Sequence, residues 1–110
     1  MANPYLFIAQ QIAAGLAALH GADIVHRDLA ARNVLVFGFD RDDVLKTSVK
    51  ISDYGLATRC CSPNRTNVTG PVGHLPVRYM SVEALQRGRF SHKSDVWAFG
   101  VLVWEVLTLG

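Results

Sequence analysis

Cysteine is scarce in this chain: there are two in 110 residues, adjacent at Cys60 and Cys61. Adjacent cysteines rarely pair, because one peptide unit holds their Cα atoms closer than an unstrained disulfide requires. The scarcity excludes a small disulfide-built secreted fold and favours a reducing compartment. Two triplets, Asn64–Thr66 and Asn67–Thr69, fit the N-glycosylation pattern, but such triplets are common by chance. We therefore expect an unmodified loop.

An excess of charge of either sign is also missing. Eleven basic and nine acidic side chains give a net charge of +2, so no nucleic-acid partner is expected. No basic stretch followed by a long apolar run opens the chain, so no signal peptide and no membrane segment are expected. Half of the residues are hydrophobic, which is enough for the core of one small domain.

Two helices are predicted from caps and apolar spacing. The first runs from about Pro4 to His20, with Asn3 as its N-cap, apolar residues at near-helical spacing, and Gly21 in the left-handed position at its end. The second is a short helix from Val82 to Arg87, capped by Ser81.

A third helix is predicted from Ser94 to Leu109, with Ser94 as its cap and Asp95 at its positive end. It has almost no polar face, which is typical of a helix buried on all sides. It contains Glu105 and is shorter than the ~20 apolar residues of a membrane span. We expect it to be the buried central helix of a soluble lobe, although 110 residues can leave part of it uncovered.

Two strands, Val34–Phe37 and Thr47–Ile51, are predicted on either side of a polar turn. A hairpin formed by them would place Asn33 at its entry and Asp53 at its exit. The residues from Thr58 to Gly73 lack periodicity and are predicted to form a loop; this loop contains no tyrosine.

The segment from His26 to Asn33 carries the chemistry. Asp28 can accept a proton from a hydroxyl group, and Asn33 can hold a divalent cation through its side-chain oxygen. Asp53, in an Asp-Tyr-Gly turn, adds a carboxylate that suits Mg²⁺. A loop base, an amide and a separate metal-binding carboxylate together resemble the site with which protein kinases transfer a phosphoryl group from ATP to a protein hydroxyl.

The whole chain resembles the middle of a protein kinase domain. The resemblance rests on four segments in family order, which are His26–Asn33, Lys50–Ala57, Pro76–Leu85 and Ser94–Gly100. Two details resemble the tyrosine-kinase group: the Ala30-Ala31-Arg32 sequence, and the segment from Leu75 to Met80, which resembles a loop that docks tyrosine substrates.

The resemblance implies a role for each of several residues. Asp28 would be the catalytic base and Arg32 would approach the γ-phosphate, whereas the simpler alternatives are a turn-capping Asp and a surface salt bridge. Asn33 and Asp53 would hold Mg²⁺. Leu35 would lie under the adenine ring of ATP, which is compatible with its being a core residue of a strand.

The substrate tyrosine would dock on Pro76, Val77 and Arg78. The resemblance also implies regulatory or structural positions. His26 and Tyr54 would belong to a hydrophobic stack between lobes, Asp95 would bind the backbone of the catalytic loop, and Glu83 would lack its usual arginine partner. Arg27 often pairs with a phosphotyrosine in this family, but the tyrosine-free loop favours the absence of that switch.

The expected fold class is α+β, mainly α, a partial kinase-like large lobe with a long helix, catalytic loop, hairpin, activation loop, short helix and buried helix. Residues 1–110 contain no glycine-rich loop, lysine strand or glutamate helix ahead of the motif, so we expect a fragment without the small lobe and without the last helices.

The expected function is tyrosine phosphorylation by the parent domain, with ATP and Mg²⁺ as cofactors and a protein tyrosine as substrate. The isolated chain is expected to be inactive, and the parent to be cytoplasmic or on the cytoplasmic side of a membrane. The alternative is a non-catalytic, pseudokinase-like binding or regulatory module.

Overall fold

The structure, a computed structural model, describes residues 3–52, 58–59, 68–69 and 77–108. The predictions for Asp53, Tyr54 and Pro76 lie outside these residues, as does most of the predicted loop from 58 to 73. The described part is mostly helical with small antiparallel sheets. Within it, no helix has the length and apolar character that crossing a bilayer would require.

Helix α1 spans Pro4–Gly21. Asn3 caps it, because its side-chain oxygen accepts the N–H of Tyr5 at 2.9 Å. The prediction that Gly21 takes the left-handed position is wrong. The N–H of Ala22 closes the last turn onto the carbonyl groups of the helix, and the left-handed residue is Asp23, with φ of 60°.

Strands β2 (Val34–Gly38) and β3 (Ser48–Ile51) form an antiparallel hairpin. Val34 faces Ile51 in the register, and the pairing is irregular next to Gly38. A Cβ atom at Gly38 would lie 2.6 Å from the backbone oxygen of Lys46, so only glycine lets the two backbones approach this closely. The hairpin thus holds its two ends together, next to Asn33 and Ser52.

Four two-residue strands were not predicted. β1 (Ile24–Val25) pairs with β4 (Thr58–Arg59), and β5 (Val68–Thr69) pairs with β6 (Arg89–Phe90), both antiparallel. The segment from Thr58 to Gly73 is therefore more than a loop, since it contributes β4 and β5. Strands of two residues are too short to show any periodicity in a sequence.

Helix α2 spans Val82–Arg87, as predicted. Its cap is Ser81, whose hydroxyl accepts the N–H of Ala84 at 3.4 Å. It ends at Gly88, which adopts the left-handed conformation with φ of 63°.

Helix α3 spans His92–Thr108 and begins two residues before the predicted start. Ser91 and Ser94 exchange hydrogen bonds, each hydroxyl accepting the other's backbone N–H, at 2.8 and 3.3 Å. Ser91 therefore occupies the cap position, and Ser94 lies inside the first turn.

Helix α3 is buried on one side only, in line with the expectation that 110 residues can leave part of it uncovered. One face is buried, at Ser94, Asp95, Ala98 and Leu102. The opposite face exposes Trp97 by 50% and Trp104 by 57%, because the described elements that pack on α3 contact its buried face.

The main core joins α1, the segment after β1, β3 and α3. Its buried members are Ile12, Leu16, Leu29, Ala30, Val49, Ile51, Tyr79, Ala98 and Leu102. Two of them, Leu29 and Ala30, come from the segment that carries the predicted chemistry. The core therefore holds that segment between α1 and α3.

Candidate active site

The segment from His26 to Asn33 runs between β1 and β2 and ends in a 3₁₀ turn, Ala31–Asn33. His26, Asp28 and Asn33 are all buried, although each carries polar side-chain atoms. Buried polar groups require partners, and the contacts below supply them.

The carboxylate of Asp95 holds the start of this segment from α3. It is 2% exposed and accepts the backbone N–H of His26 at 2.7 Å and that of Arg27 at 3.0 Å. Arg27 has φ of 74°, a conformation that costs a non-glycine residue about 1 kcal/mol or more. Asp95 thus stabilises the unusual turn that aims Asp28.

The imidazole of His26 connects this turn to the end of β3. Its Nδ1 accepts the backbone N–H of Asp28 at 3.1 Å, and its Nε2 lies 2.9 Å from the carbonyl oxygen of Ser52. Because a carbonyl oxygen only accepts, Nε2 carries the hydrogen and Nδ1 is the acceptor.

Asp28 is held at its backbone and at its side chain. Its carbonyl oxygen accepts the side-chain N–H of Asn33 at 2.6 Å. Its carboxylate pairs with the guanidinium group of Arg32, four residues later in the chain. Arg32 is half exposed. Its ion pair with Asp28 is a salt bridge, the contact that the sequence analysis gives as the simpler alternative to binding the γ-phosphate.

Asn33 joins the two ends of the hairpin. Its carbonyl oxygen accepts the backbone N–H of Ser52 at 2.7 Å and the Ser52 hydroxyl at 3.0 Å. Its amide nitrogen binds Asp28, and its side-chain oxygen is the atom of this amide that can accept a cation or a donor. Residue 53, the second predicted metal ligand, follows Ser52 directly in the chain.

The remaining predicted positions that the structure describes differ in exposure. Leu35 is 48% exposed on β2, and Val77 is 63% exposed. Arg78 is also exposed and its guanidinium group lies 3.9 Å from the Glu105 carboxylate. Glu83 is half-buried, and within the described residues it forms no ion pair.

The side chain of Arg27 packs against Phe90. Its guanidinium carbon lies 4.7 Å from the centre of the Phe90 ring, a geometry typical of a cation–π contact. The sequence does not predict this contact, because Phe90 lies in β6, far from Arg27 in the chain.

The sequence analysis missed three residues that contact the site through Asp95, His26 and Ala31, namely His20, Ser52 and Tyr79. The Tyr79 hydroxyl accepts the backbone N–H of Ala31 at 3.4 Å. Burial raises the pKa of Tyr79 above its ordinary value of 10.0, and the nearby Glu105 raises it further, so the phenol remains neutral at physiological pH. No local pattern marks these residues, since their partners are distant in the chain.

A cluster of three or more His, Cys, Asp or Glu side chains that could bind a metal is not found among the residues that the structure describes. The predicted Mg²⁺ site does not depend on such a cluster. It uses the amide of Asn33 and the carboxylate of Asp53, which lies outside the described residues.

Comparison with known proteins gives close relatives. Over 100 residues, 91% of this chain, the sequence is 47% identical to the epidermal growth factor receptor of Apis mellifera, of which the match covers 7%. It is 44% identical to the tyrosine-protein kinase receptor torso of Drosophila melanogaster over 96% of this chain and 11% of the relative. The identity to the tyrosine-protein kinase csk-1 of Caenorhabditis elegans is 40% over 96% of this chain and 18% of the relative. The chain thus spans less than a fifth of the length of each.

A family model described as "Protein tyrosine and serine/threonine kinase" matches residues 2–110. The match covers nearly the whole chain, and the relatives named above are tyrosine kinases or receptors. The predicted resemblance is therefore confirmed, and this chain belongs to the protein tyrosine and serine/threonine kinase family.

Proposed function

We propose that the full-length protein transfers the γ-phosphoryl group of ATP to a tyrosine hydroxyl, and that this chain supplies the base and the metal-binding side of the site. The observation that carries the proposal is the pair of contacts made by Asn33. Its amide binds the backbone of Asp28, and its carbonyl binds Ser52, the residue next to Asp53. Asn33, itself a proposed metal ligand, thus connects the proposed base to the residue that precedes the other proposed ligand, Asp53.

Asp28 acts on the attacking group. The tyrosine oxygen bonds to the γ-phosphorus, the bond from that phosphorus to the β,γ-bridging oxygen breaks, and ADP leaves. The hydroxyl proton passes to the Asp28 carboxylate. Positioning matters more here than proton affinity, since an ordinary Asp is a weak base at neutral pH.

Asn33 and Asp53 hold Mg²⁺ through an amide oxygen and a carboxylate. These are hard oxygen ligands of the kind that Mg²⁺ prefers, and the contacts of Asn33 leave its oxygen to serve as one. When bound, Mg²⁺ neutralises charge on the phosphates of ATP.

Arg32 and Leu35 contact the nucleotide. Arg32 exchanges its ion pair with Asp28 for the γ-phosphate, which leaves the carboxylate available to the substrate hydroxyl. Leu35 provides an exposed apolar side chain on β2 against which the adenine ring packs.

Tyrosine is the proposed acceptor because of the segment from Pro76 to Arg78. The exposed side chain of Val77 and the adjacent proline offer an apolar surface to a phenol ring. The tyrosine-kinase names of several relatives favour the same acceptor.

The other positions are assigned structural or regulatory roles. Asp95 and His26 support the catalytic turn, and Tyr54 shares the interlobe stack with His26. Arg27 operates without an activation-loop tyrosine, and Glu83 lacks its arginine within residues 1–110. The protein acts in the cytoplasm or on the cytoplasmic side of a membrane.

A non-catalytic binding module is the second candidate. The exposed tryptophans of α3 favour it, because large exposed apolar patches often mark interaction surfaces. The Ser81-Val82 pair, where the family usually has Ala-Pro, points in the same direction.

The experiment measures phosphate transfer from ATP with Mg²⁺ to a peptide that contains tyrosine, and to the matched peptide with serine in its place. We expect the full-length protein to phosphorylate the tyrosine peptide at least about tenfold faster, because the hydroxyl of the shorter side chain does not reach Asp28. The 110-residue chain, tested alongside, is expected to show no transfer, since its sequence lacks the glycine-rich loop and the lysine strand that cover the phosphates in this family. Equal rates on both peptides would contradict the tyrosine assignment. No transfer by the full-length protein would favour the binding module, and activity of the short chain would contradict the need for further segments.

A further inference from the structure

Two histidine rings stack where α1 ends and α3 begins. His20 is next to last in α1 and His92 is the first residue of α3. Their ring centres are 4.3 Å apart and their planes differ by 15°. Neither residue belongs to the motif segments described above.

The inner ring, His20, binds the acid that supports the catalytic turn. Its Nε2 lies 2.9 Å from Oδ2 of Asp95, and its side chain is 16% exposed. A carboxylate only accepts, so Nε2 donates. The same Oδ2 atom accepts the backbone N–H of His26, and His20 therefore contacts the oxygen that holds the turn before Asp28.

The outer ring, His92, covers the face of His20. It lies on the same side of α3 as Asp95, three residues before it, as i and i+3 positions do. Its Nε2 is 3.9 Å from the Asp23 carboxylate, and within the described residues that nitrogen has no hydrogen-bond partner. The flat face of His92 therefore stacks on His20 without a hydrogen bond at Nε2 to a described residue.

We propose that His92 is a positioning residue for phosphoryl transfer. Its ring keeps the His20 ring in the rotamer that binds Asp95, and Asp95 keeps the backbone of His26 and Arg27 in the conformation that aims Asp28. The effect on turnover rests on the proposed function, whereas the effect on the turn does not.

The test compares His92→Phe, His92→Leu and His92→Ala in the full-length protein. Phenylalanine keeps a flat ring, leucine keeps apolar volume without one, and alanine removes both. We expect kcat to fall about 3- to 10-fold with leucine or alanine, the range that loss of one hydrogen bond produces, with KM for ATP and peptide changing less than about twofold. Phenylalanine is expected to retain kcat within about twofold. The exposed neighbour gives the control, Lys93→Ala, which should leave all values unchanged.

Amide hydrogen exchange supplies a readout that is independent of activity. We expect the leucine variant to accelerate exchange at the N–H groups of His26 and Arg27 by about 3- to 10-fold relative to those of β2 and β3. General destabilisation would accelerate both sets equally. Equal kcat and equal exchange for the phenylalanine and leucine variants would overturn the proposal, even if the alanine variant fails to fold. An inactive wild-type protein would overturn the proposed function alone, because the exchange ratios would still test the stack.

Discussion

Replacing Asp28 with asparagine is expected to lower kcat of the full-length protein by about 10²- to 10⁴-fold, the usual contribution of a positioned acid or base. Asparagine cannot take the proton of the substrate hydroxyl. The turn itself should persist, because His26 and Asn33 bind the backbone atoms of Asp28 and not its carboxylate. The measurement is the steady-state rate of tyrosine-peptide phosphorylation.

The matched control is Asp42→Asn, an exposed acid on the hairpin connection, which should change kcat by less than about twofold. An unchanged melting temperature of the Asp28→Asn protein would show that the loss is chemical. If Asp28→Asn kept kcat within about tenfold of the unchanged protein, Asp28 would be removed from the role of base.

Asp95→Asn has the largest expected effect on stability. The substitution conserves shape but replaces one of the two acceptor oxygens with an amide NH₂ group, so the backbone N–H of either His26 or Arg27 loses its acceptor. A buried donor without an acceptor costs about 1–3 kcal/mol, so we expect the free energy of unfolding to fall by about 2–4 kcal/mol. Thermal unfolding of the full-length protein should show a decrease of at least about 5 °C in the transition of the kinase domain.

Asp23→Asn is the comparison variant, since Asp23 lies close to the same histidine pair but is exposed. Asparagine also tolerates the left-handed conformation found there. We expect a change within about 0.5 kcal/mol. Equal melting temperatures for the Asp95 variant and the unchanged protein would mean that the turn does not depend on this carboxylate.

The local signals in the sequence predicted several elements well. Asn3 and Ser81 cap the helices they were expected to cap, because a cap depends on a hydrogen bond to a residue two or three positions away. The antiparallel pairing of β2 and β3 follows from two β-prone runs close together in the chain. Both kinds of signal lie within a few residues of the feature they predict.

The errors arose where the deciding contact is tertiary or where two local solutions compete. Ser91 and Ser94 are both suitable N-cap residues, and the hydroxyl of each accepts the backbone N–H of the other. The nearly continuous apolar sequence of α3 could not show which face is covered; the described residues bury one face and leave Trp97 and Trp104 exposed.

The candidate site shows the same division. The motif pointed to Asp28 and Asn33, and the hairpin pointed to the proximity of its own two ends. Neither the motif nor the hairpin could indicate a role for His20, which binds an acid 75 positions away, or for Tyr79, which is 48 positions from Ala31. Such pairs are determined by how segments that are distant in the chain pack together, and nothing in the neighbouring sequence records that geometry.

The most direct test of the central proposal is a crystal structure of the full-length protein with Mg²⁺ and a non-hydrolysable ATP analogue. We expect the Asn33 side-chain oxygen and the Asp53 carboxylate to lie about 2.0–2.1 Å from the metal, with the Asp28 carboxylate facing the γ-phosphate. A structure in which Asp53 points away from Asn33, with the metal bound elsewhere, would contradict the phosphoryl-transfer site proposed for this chain.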